Sequence, residues 1–175
     1  MSRQNERELS RADLALQQWK RECPELNASV MSLFGRLTEA SDLLDKLHVT
    51  PLHNRHGLRR GEFDVLATLR RSGEPYALSP TALYRSMMMS SGGMTNRLDR
   101  LERSGLVNRR PNSDDRRAVV VELTEQGLNR INAMLAEHVA GEESLLAALS
   151  QEQCEQLDAL LAALIDSMSR QTPPE

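Results

Sequence analysis

The sequence predicts a mainly α-helical protein with one small β-hairpin. Apolar residues recur at helical spacing over most of the 175-residue chain. Only residues 106–123 contain two short β-branched runs around a polar turn. Aromatic residues make up 3% of the chain, so Leu, Ala and Met must fill a helical core.

Two helices are predicted at the N-terminus. Ser10 is a typical N-cap, and the Cys23–Pro24 step ends the first helix. A second helix is expected over residues 24–47, followed by a loop over residues 50–57. A further helix is predicted over residues 60–71 and ends at a Ser-Gly-Glu-Pro turn.

The next two helices are short and close together. Ser79 followed by Pro80 predicts an N-cap and a first helical residue. Ser90 and Ser91 are predicted to cap another helix over residues 92–104. Two short helices joined by so tight a turn form a helix-turn-helix.

The helical period then stops and strands are predicted. Residues 106–110 and 118–123 flank a turn that contains Arg116 and Arg117. This hairpin with a basic tip is a wing, so the predicted fold is a winged helix-turn-helix.

Two long helices are predicted after the wing. Thr124 caps the first, which runs to about residue 149, and the capping box Ser150 to Gln153 opens the second. The second has one apolar face, formed by Leu157, Leu160, Leu161, Leu164, Ile165 and Met168.

The charge distribution suggests how the chain is divided. The net charge is −3, yet residues 57–121 carry +5 and the other residues carry −8. A basic middle between acidic ends indicates a DNA-facing module on a scaffold, although charge runs are also common on solvated faces. We expect N-terminal helices for dimerisation and a ligand pocket (1–56), a DNA-binding domain (57–123) and C-terminal dimerisation helices (124–175).

Several other classes are disfavoured. No nucleophile elbow, phosphate loop or paired-carboxylate motif is present, so the sequence predicts neither an enzyme nor a cofactor. His53 and His56 have no further ligand at metal spacing, which favours a solvated loop over a metal site. The polar N-terminus and the absence of an 18-residue apolar run predict a cytoplasmic protein with no membrane partner.

The helix over residues 92–104 has two different faces. Met94, Leu98 and Leu101 form an apolar stripe, and the opposite face is polar and basic. Asn can read adenine, Arg can read guanine, and hydroxyls with free N–H groups at the helix start can hold phosphates. The residues predicted to contact DNA are Ser90, Ser91, Gly92, Thr95, Asn96, Arg100, Arg103, Arg116 and Arg117.

A family resemblance now emerges from these segments. The run SSGGMTNRLDRL at residues 90–101, GLV at 105–107, DDRR at 114–117 and LTEQG at 123–127 together resemble the MarR family. The resemblance implies a homodimer on double-stranded operator DNA, with recognition helices in adjacent major grooves and wings in the flanking minor grooves. It also implies a salt bridge between Asp99 and Arg117 that steadies the wing.

A narrower resemblance concerns the N-terminal half. The run WKRECPELN at residues 19–27 is similar to the urate-responsive branch of that family, the PecS-like and HucR-like repressors. The resemblance implies a four-residue ligand set of Trp19, Asp64, Arg97 and Arg109. Because regulators of other small acids such as trans-aconitate look similar, it indicates an anion more than urate itself.

The helical projection supports part of this set. Arg97 flanks the apolar stripe and not the outer face, and a buried guanidinium needs an acidic partner, for which Asp64 is available. The alternative is that Asp64 and Arg97 form a structural ion pair and Trp19 is a core residue.

The sequence thus predicts a ligand-responsive transcriptional repressor that a small anion releases from a pseudo-palindromic operator. Two alternatives stay open. One is a winged-helix module that binds proteins and never DNA, and the other is a redox sensor that uses Cys23.

Overall fold

The structure is a computed structural model that describes residues 10–59, 61–87, 93–111 and 119–171. Its elements are α1 (Arg11–Glu22), α2 (Ala28–Leu44), a π-helical turn (Asp45–Val49), α3 (Thr50–Arg55), α4 (Glu62–Arg71), β1 (Ala77–Leu78), α5 (Pro80–Ser86), α6 (Met94–Arg103), β2 (Val107–Pro111), β3 (Val119–Leu123), α7 (Glu125–Leu146) and α8 (Gln151–Ser169). The mainly helical prediction with a small β-sheet is confirmed.

The N-terminal helices begin with the predicted cap of α1, but the loop predicted after the second helix is replaced by further helix. The Ser10 hydroxyl caps α1 by accepting a hydrogen bond from the backbone N–H of Asp13. The predicted loop over residues 50–57 is wrong, because α2 continues through the π-helical turn into α3. Pro51 lies in the first turn of α3, where a missing N–H and a fixed φ are tolerated.

The helix-turn-helix consists of α5 and α6. Ser79 caps α5 and Pro80 follows it, as predicted. The predicted serine cap of the second helix is wrong, since α6 begins at Met94 and Gly93 occupies the N-cap position. Gly93 has φ of +79°, a left-handed conformation that glycine adopts without steric cost.

The predicted hairpin is confirmed, and one strand was missed. Strands β2 and β3 pair antiparallel with Arg109 opposite Val121. The edge strand β1 pairs with the other side of β3, so the sheet order is β1-β3-β2. A strand of two residues is too short to show a period of two in the sequence.

The buried core joins the helix-turn-helix, the sheet and the scaffold helices. Its fully buried members are Leu52, Val65, Leu66, Leu69, Leu83, Val107, Val121, Ile131 and Met134. The division at residues 56 and 123 stays a prediction, and the core extends across both boundaries.

Helix α7 approaches the start of the hairpin very closely. The Thr124 hydroxyl caps α7 through the N–H of Gly127, at 2.9 Å, and donates a hydrogen bond to the carbonyl of Gly105. A Cβ at Gly127 would lie 1.9 Å from the carbonyl oxygen of Leu106. Only glycine allows this contact between helix and wing.

Helix α8 differs from the rest of the chain. Its capping box of Ser150 and Gln153 is confirmed, yet none of its 19 residues is buried within the single chain. Over the residues that the structure describes, no helix is both long and apolar enough to cross a membrane.

Candidate nucleic-acid interface and ligand site

Helix α6 is anchored by its apolar stripe and exposes part of its polar face. Leu98 and Leu101 are buried in the core, whereas Thr95, Asn96 and Arg103 are exposed. Contact with a groove of DNA requires such exposure, and that these three side chains bind DNA stays a prediction. Ser90, Ser91, Gly92, Arg116 and Arg117 were also predicted to contact DNA, and they lie outside the described residues.

Arg100 does not lie on the open face where the projection placed it. Its Nε is 2.7 Å from Oε1 of Glu62, a carboxylate that is almost fully buried at the start of α4. The N–H does not point at this oxygen, so the contact is an ion pair and not a hydrogen bond. The partly exposed guanidinium of Arg100 thereby supplies the cation that a buried carboxylate needs.

Arg97 faces the scaffold, in agreement with its place beside the apolar stripe. Its half-buried side chain packs on Gly61, where a Cβ would lie 2.7 Å from Nε of Arg97. Gly61 has φ of +82° and is the N-cap residue of α4. Asp64 lies in the first turn of the same helix, and its Oδ2 is buried. Arg97 and Asp64 therefore both belong to the junction of α4 and α6.

Arg109 connects the first wing strand to α6. Its Nη1 is 2.6 Å from Oδ1 of Asp99 and 2.9 Å from Oε2 of Glu102. Its backbone N–H donates to Oε1 of Glu102. Asp99, which was predicted to pair with Arg117, thus has Arg109 as a partner, whereas Arg117 lies outside the described residues.

Trp19 is the member of the four-residue ligand set that belongs to the N-terminal helices. It is on α1, which packs along α2, and 40% of its surface is exposed. Trp19 is therefore not a core residue of the single chain. That these four residues bind one ligand together stays a prediction.

A cavity of about 580 Å³ opens beside the α4–α6 junction. Its lining includes four arginines, Arg59, Arg100, Arg103 and Arg130, together with the carboxylate of Glu62. Arg130 donates a hydrogen bond to the carbonyl oxygen of His56. The excess of positive charge makes this cavity suited to a small anion.

Sequence reasoning missed the two acidic partners, Glu62 and Glu102. Glutamate in the first turn of a helix is common because it favours the helix dipole. Glu62 fits that pattern and accepts a hydrogen bond from the backbone N–H of Arg59. No sequence signal therefore marked it as the partner of Arg100.

Helix α6 with an exposed polar face, a wing strand held by Arg109 and a helical scaffold define a winged helix-turn-helix fold, and comparison with known proteins agrees. Residues 58–119 match the MarR family. The chain is 40% identical to the HTH-type transcriptional regulator PecS of Dickeya dadantii, over 83% of this chain and 87% of that protein. The chain belongs to the MarR family of transcriptional regulators and is not an enzyme.

A second relative is a repressor by name, and a solved structure shows the same fold. The chain is 28% identical to the HTH-type transcriptional repressor YetL of Bacillus subtilis, over 82% of this chain and 85% of that protein. The organohalide-sensing RdhR regulator in its 2,4-dichlorophenol-bound form has the same fold, with a TM-score of 0.70 and 18% identity over 83% of this chain and 84% of that one.

Proposed function

We propose that this regulator represses transcription as a homodimer on a pseudo-palindromic operator and is released when a small anion binds at the α4–α6 junction. The observation that carries the proposal is the attachment of α6 to the scaffold through arginines. Arg97 packs on Gly61 and Arg100 pairs with buried Glu62. An anion competes for the same guanidinium groups that orient the recognition helix.

The exposed apolar surface supports the homodimer. Leu160 and Ile165 on α8 are 70% and 61% exposed, and Leu33 on α2 is 57% exposed. Side chains of this size in one helical stripe are seldom left in water. In a homodimer in which α8 of one chain packs against α8 of the other, these side chains become buried. The two recognition helices then lie about one helical turn of DNA apart.

The ligand set of Trp19, Asp64, Arg97 and Arg109 is part of this proposal. An anion near Arg97 would draw its guanidinium from the Gly61 backbone and place negative charge beside Asp64. The junction must then rearrange, and α6 tilts because Arg97 belongs to it. A coupling free energy of about 1 to 3 kcal/mol, or roughly five- to 150-fold in operator affinity, is enough for a switch.

The experiment compares two arginines that define different sites. Operator DNA obtained by in vitro selection is titrated with wild type, Arg97→Ala and Arg130→Ala, each with and without urate, xanthine and trans-aconitate. We expect one of these anions to release wild type and Arg130→Ala, whereas Arg97→Ala binds DNA but is not released. Arg130 lines the cavity and does not belong to the four-residue ligand set.

Two results would contradict the proposal. If Arg130→Ala loses release and Arg97→Ala keeps it, the anion binds in the cavity and not at the predicted set. If wild type shows no salt-dependent binding to any selected DNA, the chain does not bind DNA, and the protein-interaction alternative gains support.

A variant of Cys23 tests the alternative that the protein is a redox sensor. Cys23 is a half-buried free thiol that follows α1. If Cys23→Ser keeps its release by anion and wild type is not released by peroxide, anion binding is the signal.

A further inference from the structure

We propose that His48, His138 and Glu142 form a binding site for a divalent transition-metal ion of the zinc class. His48 lies in the π-helical turn that follows α2, and His138 and Glu142 lie four residues apart on α7. One ligand atom from each of the three side chains lies within 4.8 Å of the others. This site is separate from the arginines of the α4–α6 junction and does not depend on the anion proposal.

The two imidazoles already share one contact. Nε2 of His48 is 2.9 Å from Nδ1 of His138, and the rings stack at 5.0 Å. In such a contact one nitrogen donates and the other accepts, so at least one lone pair points into the gap. A metal ion that takes the place of the shared proton needs the two nitrogens only slightly further apart, at about 3.3 Å for tetrahedral zinc.

Glu142 supplies the third donor. Its Oε1 is 3.2 Å from Nε2 of His138, and its side chain is 45% exposed. This nitrogen is not the one that faces His48, so the exposed carboxylate must rotate to the Nδ1 side of His138 to reach an ion held between the two rings. Two imidazoles and one carboxylate with a water molecule are the usual ligands of an open zinc site, whereas Mg²⁺ and Ca²⁺ prefer oxygen ligands.

The surroundings hold the rings in place. His48 is 6% exposed, and a Cβ on Gly141 would lie 2.3 Å from its ring, so the glycine leaves room for the imidazole beside α7. The ring of Phe63 packs on His138 at 5.0 Å. Packed rings need little reorganisation to bind an ion. π-Helical turns occur often at functional sites, which agrees with the position of His48.

A second His–Glu pair, between the end of α3 and α7, provides a matched control. His56 and Glu137 form this pair, with Nε2 of His56 2.9 Å from Oε1 of Glu137. The hydrogen bond from His56, together with Arg55, lowers the pKa of Glu137. This pair has the same donor types but belongs to no described cluster of three.

The test uses the tag-free protein titrated with Zn²⁺ and Co²⁺. We expect one ion per chain and the visible absorption of tetrahedral Co²⁺, without the thiolate band that Cys23 or Cys154 would produce. Zn²⁺ should raise the melting temperature by several degrees. Glu142→Gln, which alters only an exposed side chain, should weaken binding at least tenfold, and His56→Gln should bind as wild type does.

A second variant keeps all three donors. In Gly141→Ala the added methyl displaces the His48 ring, so it should also lose the ion while retaining its helical circular dichroism. The proposal is overturned if wild type binds no ion, if Glu142→Gln binds as tightly as wild type, or if His56→Gln abolishes binding. Weak binding of several ions without the tetrahedral absorption would mean surface binding only, which also overturns it.

Discussion

The middle of the chain and helix α8 differ in how far their apolar side chains are buried within the single chain. Leu66, Leu69 and Val121 are fully buried by other parts of the same chain. On α8, by contrast, no residue is buried, and Leu160 is 70% exposed. The middle is therefore packed by intrachain contacts, whereas α8 leaves apolar surface in water that the proposed homodimer would bury.

The first test makes the same glycine-to-alanine substitution at two places, where α7 meets the wing and inside α2. In Gly127→Ala the new methyl meets the backbone carbonyl of Leu106, which cannot move aside like a side-chain tip. We expect the free energy of unfolding to fall by roughly 3 kcal/mol or more, or the protein to fail to fold. Urea unfolding followed by circular dichroism measures the change.

Gly35→Ala is the matched control in α2. A Cβ there would lie 3.5 Å from Cβ of Ala12, an ordinary contact. Alanine is favoured over glycine inside a helix by roughly 0.5 to 1 kcal/mol, so this variant should be as stable as wild type or more stable. Equal effects of the two substitutions would show that α7 does not dock on the wing as described.

Features set by neighbouring residues could be predicted from the sequence. The caps at Ser10, Ser79, Thr124 and Ser150 were all recognised, because a cap is a hydrogen bond between residues two or three apart. The hairpin was recognised from its β-branched runs. The same local rules failed at Pro51, where a proline in a first helical turn looks like a loop.

Features that depend on distant residues could not be predicted. Arg100 was placed on the open face because the projection contains no information about α4, yet buried Glu62 attracts its guanidinium. His48 and His138 are 90 residues apart in the chain, and neither lies in a metal-binding motif. Arg97 could be placed towards the scaffold because its position beside Leu98 is a property of one helix.

The next prediction tests whether the terminal helices depend on a partner. Leu160→Asp with Ile165→Asp places two charges in the apolar stripe of α8. Each apolar side chain contributes about 1.5 to 3 kcal/mol when buried, and symmetry doubles the loss in a homodimer. We expect the dimer dissociation constant to rise at least about a thousandfold, measured by sedimentation equilibrium.

The control pair Ala159→Asp and Ala162→Asp carries the same charges on the opposite side of α8. It should remain a dimer and bind operator. The stripe variant should keep the fold of the middle region and lose operator binding. A monomeric wild type, or a stripe variant that stays dimeric, would contradict the proposed interface.

The smallest expected effect concerns how α1 is held on α2. The Glu39 carboxylate accepts hydrogen bonds from the Arg11 side chain at 3.2 Å and from the backbone N–H groups of Arg11 and Ala12. Desolvation alone would raise the pKa of Glu39, but these hydrogen bonds lower it below its ordinary value of 4.5. The folded state therefore favours the carboxylate, which caps the positive end of the α1 dipole.

The sign of the pH effect follows from this lowered pKa. The stabilisation by Glu39 is fully present above the ordinary value of 4.5 and is lost as the pH falls through the lower folded value. Trp19, the single tryptophan, lies on α1 and reports its mobility by fluorescence anisotropy. Glu39→Gln should lower the anisotropy at neutral pH, and wild type should approach the variant only in acid. Glu22→Gln, an exposed change on α1 itself, should behave as wild type does at every pH. If instead wild type and Glu39→Gln give the same anisotropy at neutral pH, the carboxylate does not hold α1, and the apolar contact of Ala12 with α2 is sufficient.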